Sequence, residues 1–195
     1  MQKAEHRFEV IIPNWNGEKM LADCLQSLTK QSFMDFSVTV VDNGSRDGSL
    51  ALLENVYPDV NVIRFTHNTG FCVAVNSGIE HAKAPWILLL NNDMEVAADC
   101  LENLNRAVEE QPQYDFFALK MMNFHQRNYI DGAGDEVLSG GVGYSLGTME
   151  KDTVQYQNDR DCFGACAGAG LYSKDFFART GLFDQDFFAY LEDVD

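Results

Sequence analysis

A chain of 195 residues with 46% hydrophobic content can bury a sizeable core, and a single domain over residues 1–195 is the economical count. Its 14 Lys and Arg against 30 Asp and Glu give a net charge of −16, which excludes nucleic acid as a general partner and leaves any anionic small ligand in need of local cations or a metal. No run of about eighteen apolar residues marks a transmembrane segment. The polar start Met1-Gln2-Lys3-Ala4-Glu5-His6-Arg7 lacks a signal peptide's apolar region, and five cysteines without a C-x-x-C pair point to buried free thiols in a reducing, intracellular setting.

Phe8-Glu9-Val10-Ile11-Ile12-Pro13 is a short β-rich run halted by proline, followed by the turn cluster Asn14-Trp15-Asn16-Gly17. Over residues 18–30, Met20, Leu21, Cys24, Leu25 and Leu28 recur at helical spacing and predict the first helix. Residues 36–41 are β-branched, and Asp42-Asn43-Gly44-Ser45-Arg46-Asp47-Gly48 is a loop of turn formers that can cap a helix beginning near Ser49. A third strand spans residues 60–65. His67-Asn68-Thr69-Gly70 then leads into a helix whose expected buried face is Val73, Val75, Ile79 and Ala82.

Trp86-Ile87-Leu88-Leu89-Leu90, fenced by Pro85 and by Asn91-Asn92-Asp93, is too short for an independent helix and reads as a strand buried on both faces. A helix over residues 97–110 presents Leu101, Leu104 and Val108, and residues 116–122 read as a fifth strand. This alternation with short connections implies right-handed crossovers and a mostly parallel sheet flanked by helices. Residues 123–160 break into polar residues and glycines and are expected to form an excursion of short strands or a flap. Residues 162–172 are small and apolar, suiting a strand closely approached by other backbone, and a short helix over residues 174–179 ends at Gly181.

In open sheets of this kind ligands bind beyond the carboxyl ends of the strands, where Asp42 and Asp93 both fall and a nucleotide could span them. An Asp in the position of Asp42 also serves as an ordinary helix cap. The first loop contains no G-x-G-x-x-G and the chain no P-loop signature. The Asp93 carboxylate suits Mg²⁺ or Mn²⁺, hard cations that complete their shell with phosphate and water.

Ile11-Ile12-Pro13-Asn14-Trp15-Asn16-Gly17, Val40-Val41-Asp42-Asn43-Gly44-Ser45-Arg46-Asp47-Gly48-Ser49, Asn68-Thr69-Gly70-Phe71, Leu89-Leu90-Asn91-Asn92-Asp93 and Leu191-Glu192-Asp193-Val194-Asp195 occur in the order seen in family two glycosyltransferases. From about Phe8 to its last residue the chain resembles the nucleotide-binding domain of these GT-A fold enzymes, especially the rhamnosyltransferase-like branch. The likeness is weakest over residues 123–160.

The resemblance implies a Rossmann-like α/β domain that moves a sugar, with inversion, from a nucleoside diphosphate sugar donor to a saccharide or lipid-linked saccharide acceptor in cell-surface polysaccharide synthesis. It implies a cytoplasmic setting, with peripheral contact at the inner face of the membrane. Pro13, Asn14 and Asn16 are expected to line the nucleotide pocket and Asp42 to hydrogen-bond the base. Asn68, Gly70 and Asn76 are expected beside the nucleotide. Asn91-Asn92-Asp93 occupies the D-x-D position, with Asn91 and Asn92 toward the nucleotide and Asp93 as ligand of the divalent cation. Asn91 is a departure, since an amide can hydrogen-bond but brings no charge, and weaker metal affinity is expected.

Asp193 matches the general base, with Glu192 beside it. An acceptor hydroxyl is a poor nucleophile until its proton is removed, and a carboxylate held close to it supplies orientation and proton acceptance. A solvated acidic terminus is the plainer reading of the same residues. The family continues past this motif into further helices, so the chain reads as truncated at its C-terminus, and a catalytically impaired nucleotide-sugar-binding module is the alternative function.

Overall fold

β1 (Phe8–Asn14) is buried on both faces: Phe8, Val10 and Ile12 point to one side, Ile11 to the other, and none of the four is exposed. The computed structural model describes residues 6–189. In chain order β1 is followed by α1 (Glu18–Leu28), β2 (Phe36–Asp42), α2 (Ser49–Val56), β3 (Asn61–Arg64), α3 (Phe71–His81), β4 (Trp86–Leu90), α4 (Cys100–Glu110) and β5 (Phe116–Ala118). Short strands β6 (Met121–Met122), β7 (Ile130–Gly132), β8 (Asp135–Val137) and β9 (Gly143–Ser145) come next, then a 3₁₀ turn (Val154–Tyr156), β10 (Ala169–Ser173) and α5 (Lys174–Thr180).

The main sheet has six strands in the order β3-β2-β1-β4-β10-β5. β3, β2, β1 and β4 are mutually parallel, and β10 runs antiparallel to both β4 and β5. One face of the sheet, with Val10, Ile12, Val40, Leu88 and Leu90, packs against Leu21 and Leu25 of α1, Leu53 of α2 and Leu101 and Leu104 of α4. The other, with Ile11, Val41, Ile87 and Leu89, packs against Val75 and Ile79 of α3 and Phe177 of α5. Each fully buried aliphatic side chain in these layers contributes about 1.5–3 kcal/mol. This is the expected α/β architecture, a mostly parallel sheet between two helical layers.

From β1 the chain builds outward to β2 and β3, then returns through α3 to place β4 on the opposite side of β1. The switch point therefore lies between β1 and β4, and the carboxyl ends of both strands open onto it. α3 comes close to the sheet here because Gly78 faces β1, where a Cβ would lie 2.4 Å from Cγ2 of Ile11.

Four local expectations are corrected. The buried face of α3 is Cys72, Ala74, Val75, Asn76, Gly78 and Ile79, while Val73 is half-buried; the helix carries small residues that let it sink further into the sheet. α4 begins at Cys100, three residues later than expected. The stretch over residues 116–122 divides, because Lys120 turns outward onto the Asp152 carboxylate and the Tyr156 carbonyl, leaving Met121–Met122 to pair with β7. Within residues 162–172 only the part from Ala169 onward is strand, and it continues to Ser173. It wedges between β4 and β5 instead of extending the parallel order, with Gly170 opposite Leu89 and Ala118.

The excursion does consist of short strands, with β8 paired to β9 and the Ser145 hydroxyl donating to Asp135 at 2.6 Å. Cys24 and Cys72 are buried thiols, and Cys100, Cys162 and Cys166 are half-buried. Among the described residues no helix is long and apolar enough to cross a membrane.

Candidate functional site

Asn14 ends β1 with its side chain buried, and it joins three loops at the carboxyl edge. Its Nδ2 donates to Oδ1 of Asp42 at 3.4 Å and to Oγ of Ser45 at 3.3 Å, and its Oδ1 accepts from Nδ2 of Asn92 at 2.7 Å. Its carbonyl also accepts the Asn43 N–H at 2.8 Å. The pairing follows from register, since Asn14 lies directly opposite Asp42 in the parallel β1–β2 ladder. Gly17 is needed beneath this junction: a Cβ there would lie 2.2 Å from Nδ2 of Asn92 and 2.7 Å from Oδ1 of Asn14.

Asp42 is 1% exposed, and its second carboxylate oxygen accepts the Ser45 N–H at 3.2 Å. It therefore braces its own loop and leaves the capping of α2 to another carboxylate. That carboxylate is Asp47, which accepts from the N–H and hydroxyl of Ser49 at 3.1 and 2.6 Å and from the N–H of Glu18 at 2.9 Å. Glu18 returns the bond, accepting the Gly48 N–H at 3.2 Å, so the first turns of α1 and α2 hold each other. Slight desolvation raises the Asp47 pKa, but the hydrogen bonds from Ser49 and Glu18 outweigh it and hold the carboxyl below its usual range. Asn16, at φ 51°, completes the zipper between the first two loops, donating its N–H to Oγ of Ser45 at 3.0 Å and accepting the Arg46 N–H at 2.7 Å.

The third loop is attached through Asn43, which was not among the candidates. Its Nδ2 donates to Oδ1 of Asn68 and to the Gly70 carbonyl at 3.0 and 2.9 Å, and its Oδ1 accepts the N–H and hydroxyl of Thr69 at 2.9 and 3.0 Å. Asn68 also accepts the Gly70 N–H at 2.9 Å. The signals for Asn43 were its place in the turn-forming loop after β2 and in the Asp42–Ser49 segment that carries the family resemblance. Asn76 lies further along α3, buried, with its amide on the backbone of Phe183.

At the end of β4, the Asn91 N–H donates to the Gly168 carbonyl at 2.9 Å, which anchors the strand end to the loop before β10. A Cβ at Gly168 would lie 2.9 Å from Nδ2 of Asn91. Asn91 and Asn92 are half-buried and Asp93 is exposed. Burial pushes the Cys24 thiol up to about 12, with the negative charge of Asp93 adding to the effect. Among the described residues no cluster of three His, Cys, Asp or Glu side chains is placed to hold a metal. An exposed single carboxylate at the switch point nonetheless suits Mg²⁺ or Mn²⁺, which are often held by one or two carboxylates plus substrate phosphates.

The structure thus brings Asn14, Asn16, Asp42 and Asn92 into one network and joins Asn68 and Gly70 to it through Asn43. Pro13 is half-buried beside Asn14, and Asn91 and Asp93 flank Asn92. Glu192 and Asp193 lie outside the described residues. A recess of about 380 Å³ sits at the opposite edge of the sheet, between Lys83, Trp86, Tyr114 and Lys174, away from all of these residues.

The sequence model described as glycosyl transferase family 2 matches residues 9–177. Glycosyltransferase GlyG of Streptococcus pneumoniae serotype 4 is 30% identical over 105 residues, covering 52% of this chain and 35% of that protein. Among solved structures, S. aureus TarS 1-349 in complex with UDP superposes with a TM-score of 0.70 at 18% identity, covering 95% of this chain and 52% of the other. The mannosyltransferase PcManGT of Pyrobaculum calidifontis, in complex with GDP-Man and Mn²⁺, superposes with a TM-score of 0.68 at 16% identity, covering 98% and 51%. At these identities the structural likeness is one of fold, that of GT-A enzymes. The chain spans about half or less of the length of these proteins.

Proposed function

The chain belongs to glycosyl transferase family 2, and on that premise we propose that its carboxyl edge binds a nucleoside diphosphate sugar whose sugar passes to a saccharide or lipid-linked saccharide acceptor in polysaccharide synthesis. The observation that carries this reading is the Asn92–Asn14–Asp42 chain of hydrogen bonds across the switch point, because it sets polar groups from three strand ends into one frame where ligands bind in such sheets. That proteins of the same fold are seen with UDP and with GDP-Man supports the class of donor.

In this reading Asp42, an acceptor-only group, takes an N–H of the base through lone pairs that Asn14 and Ser45 leave open. Pro13 and Asn16 wall the pocket, and Asn68 and Gly70 face the nucleotide from the third loop. Asn91 and Asn92 hydrogen-bond its ribose side. Asp93 would hold a divalent cation, which when bound neutralises charge on the leaving diphosphate. Asn91 adds no charge, so donor affinity depends on metal less steeply than with two carboxylates.

Asp193, with Glu192 beside it, accepts the acceptor hydroxyl's proton as the oxygen attacks the anomeric carbon. The new C–O bond forms opposite the bond to the diphosphate that breaks, so the anomeric centre inverts. Transfer from radiolabelled UDP-, dTDP- and GDP-sugars tests the reading. Asp193→Asn is expected to abolish turnover while leaving nucleoside diphosphate binding intact. Binding without turnover in the unaltered chain would instead favour a nucleotide-sugar-binding module.

A further inference from the structure

The segment from Phe183 to Phe188 runs back along α3 to its first residue and is pinned at both ends. Asn76 holds Phe183, its Nδ2 donating to the carbonyl at 2.7 Å and its Oδ1 accepting the N–H at 3.1 Å. Between the pins a turn closes: the Phe187 N–H donates to the Asp184 carbonyl at 3.2 Å and the Asp186 N–H to Oδ1 of Asp184 at 2.9 Å. At the far end the Phe188 carbonyl accepts the N–H of Phe71 at 2.7 Å. That N–H is among those at a helix start that have no partner within the helix. Phe188 is thereby set down on Gly70, which sits at φ 91° and where a Cβ would lie 2.7 Å from the Phe188 carbonyl oxygen and 2.9 Å from Cδ2 of its ring. Asn43, which directly follows Asp42, donates to the Gly70 carbonyl at 2.9 Å, so the ring sits at the same loop junction as the Asp42 turn.

A lone exposed apolar side chain is ordinary on a protein surface. Phe188 differs because its main chain is fixed and its ring is seated on a glycine, yet the residue remains 61% exposed. An aromatic face held in place before a ligand arrives costs little ordering on binding. We propose that Phe188 is a donor-binding residue whose ring stacks on the base of the nucleotide. The inference rests on the reading of the carboxyl edge as a nucleotide site with Asp42 at the base. Asp42 engages the base by its edge, which leaves the faces of the base to apolar contact. Stacking suits that contact, because every base has a π-face and an aromatic side chain matches it. Gly70 then has a defined task in the site: without a side chain it admits the ring, and the third loop meets the nucleotide through Phe188.

The test is calorimetric titration of the unaltered chain, Phe188→Ala, Phe188→Leu and Phe188→Tyr with UDP, dTDP and GDP, with hydrogen exchange at the Phe71 amide followed in parallel. For the nucleotide that the unaltered chain binds most tightly, affinity is expected to fall roughly 5- to 100-fold in Phe188→Ala, the scale of losing one base–aromatic stack. Phe188→Leu keeps apolar bulk without a π-face and should lose nearly as much. Phe188→Tyr keeps the ring and should stay within about twofold of the unaltered chain. Exchange at Phe71 should match the unaltered chain in every variant, because the bond that protects it comes from the Phe188 main chain. Unchanged affinity in Phe188→Ala, or full affinity in Phe188→Leu, would overturn the proposal. So would a loss of affinity accompanied by faster exchange at Phe71, which would make the ring a support for the segment and not a contact of the base. No binding of any nucleotide by the unaltered chain contradicts the nucleotide site itself, and this inference with it.

Discussion

Nδ2 of Asn92 donates to Oδ1 of Asn14 at 2.7 Å, and this one bond ties the end of β4 to the end of β1 across the switch point of the sheet. Asn14 passes the connection on to Asp42 and Ser45, so the three strand ends behave as one frame. Asn14→Ala removes the centre of that frame and leaves the Asn92 amide and the buried Asp42 carboxylate short of a partner. A loss of about 1–3 kcal/mol in urea unfolding is expected, as for other unsatisfied buried groups. Nucleoside diphosphate affinity should fall at least tenfold, roughly the equivalent of 1.4 kcal/mol. Unchanged affinity in a folded variant would remove Asn14 from the site.

Asp47 makes a separate prediction about stability and pH. Its folded-state pKa is depressed by bonds from Ser49 and Glu18, so its contribution is present above the ordinary carboxylate pKa and is lost as pH falls through the depressed value. The window lies below about pH 4. Asp47→Ala, which uncaps two helix starts, should lower stability by about 0.5–2 kcal/mol at neutral pH. Part of the acid limb of the unfolding profile should disappear with it. An acid limb identical to that of the unaltered chain would contradict the capping role.

The thiol of Cys24 is pushed up to about 12 by burial and by the charge of Asp93. Since the thiolate is the reactive form, alkylation at pH 8 should spare Cys24 in the native protein and reach it only on unfolding. Mass spectrometry of iodoacetamide-treated protein, folded and in denaturant, reads this directly. Native-state labelling at a rate near that of a free thiol would show that the β4–α1 contact opens.

Much of the fold was legible because its strands announce themselves. Five apolar residues between Pro85 and Asn91 allow little except a strand covered on both faces, and Ile87, Leu88, Leu89 and Leu90 are indeed buried. The turn-forming loop from Asp42 to Gly48 was likewise readable, although Asp47 rather than Asp42 caps the helix. Strand direction was not readable: the pattern of Ala169–Ser173 is the same whether it runs with its neighbours or against them. The partners of polar side chains were hidden for a different reason. Asn76 meets Phe183 across 107 residues of sequence, and Asn43 meets Asn68 and Gly70 across 25 and 27, distances over which no local pattern speaks.

The carboxyl edge between β1 and β4 is proposed as a nucleotide site with Asp93 at its metal position. The most direct measurement is calorimetric titration with UDP, dTDP and GDP, each with and without Mn²⁺, on the unaltered chain and on Asp93→Ala. Binding of at least one nucleotide is expected, strengthened by Mn²⁺ in the unaltered chain and insensitive to Mn²⁺ in the variant. Binding that responds equally to Mn²⁺ in both proteins would contradict the role of Asp93, and no binding of any nucleotide under either condition would contradict the site.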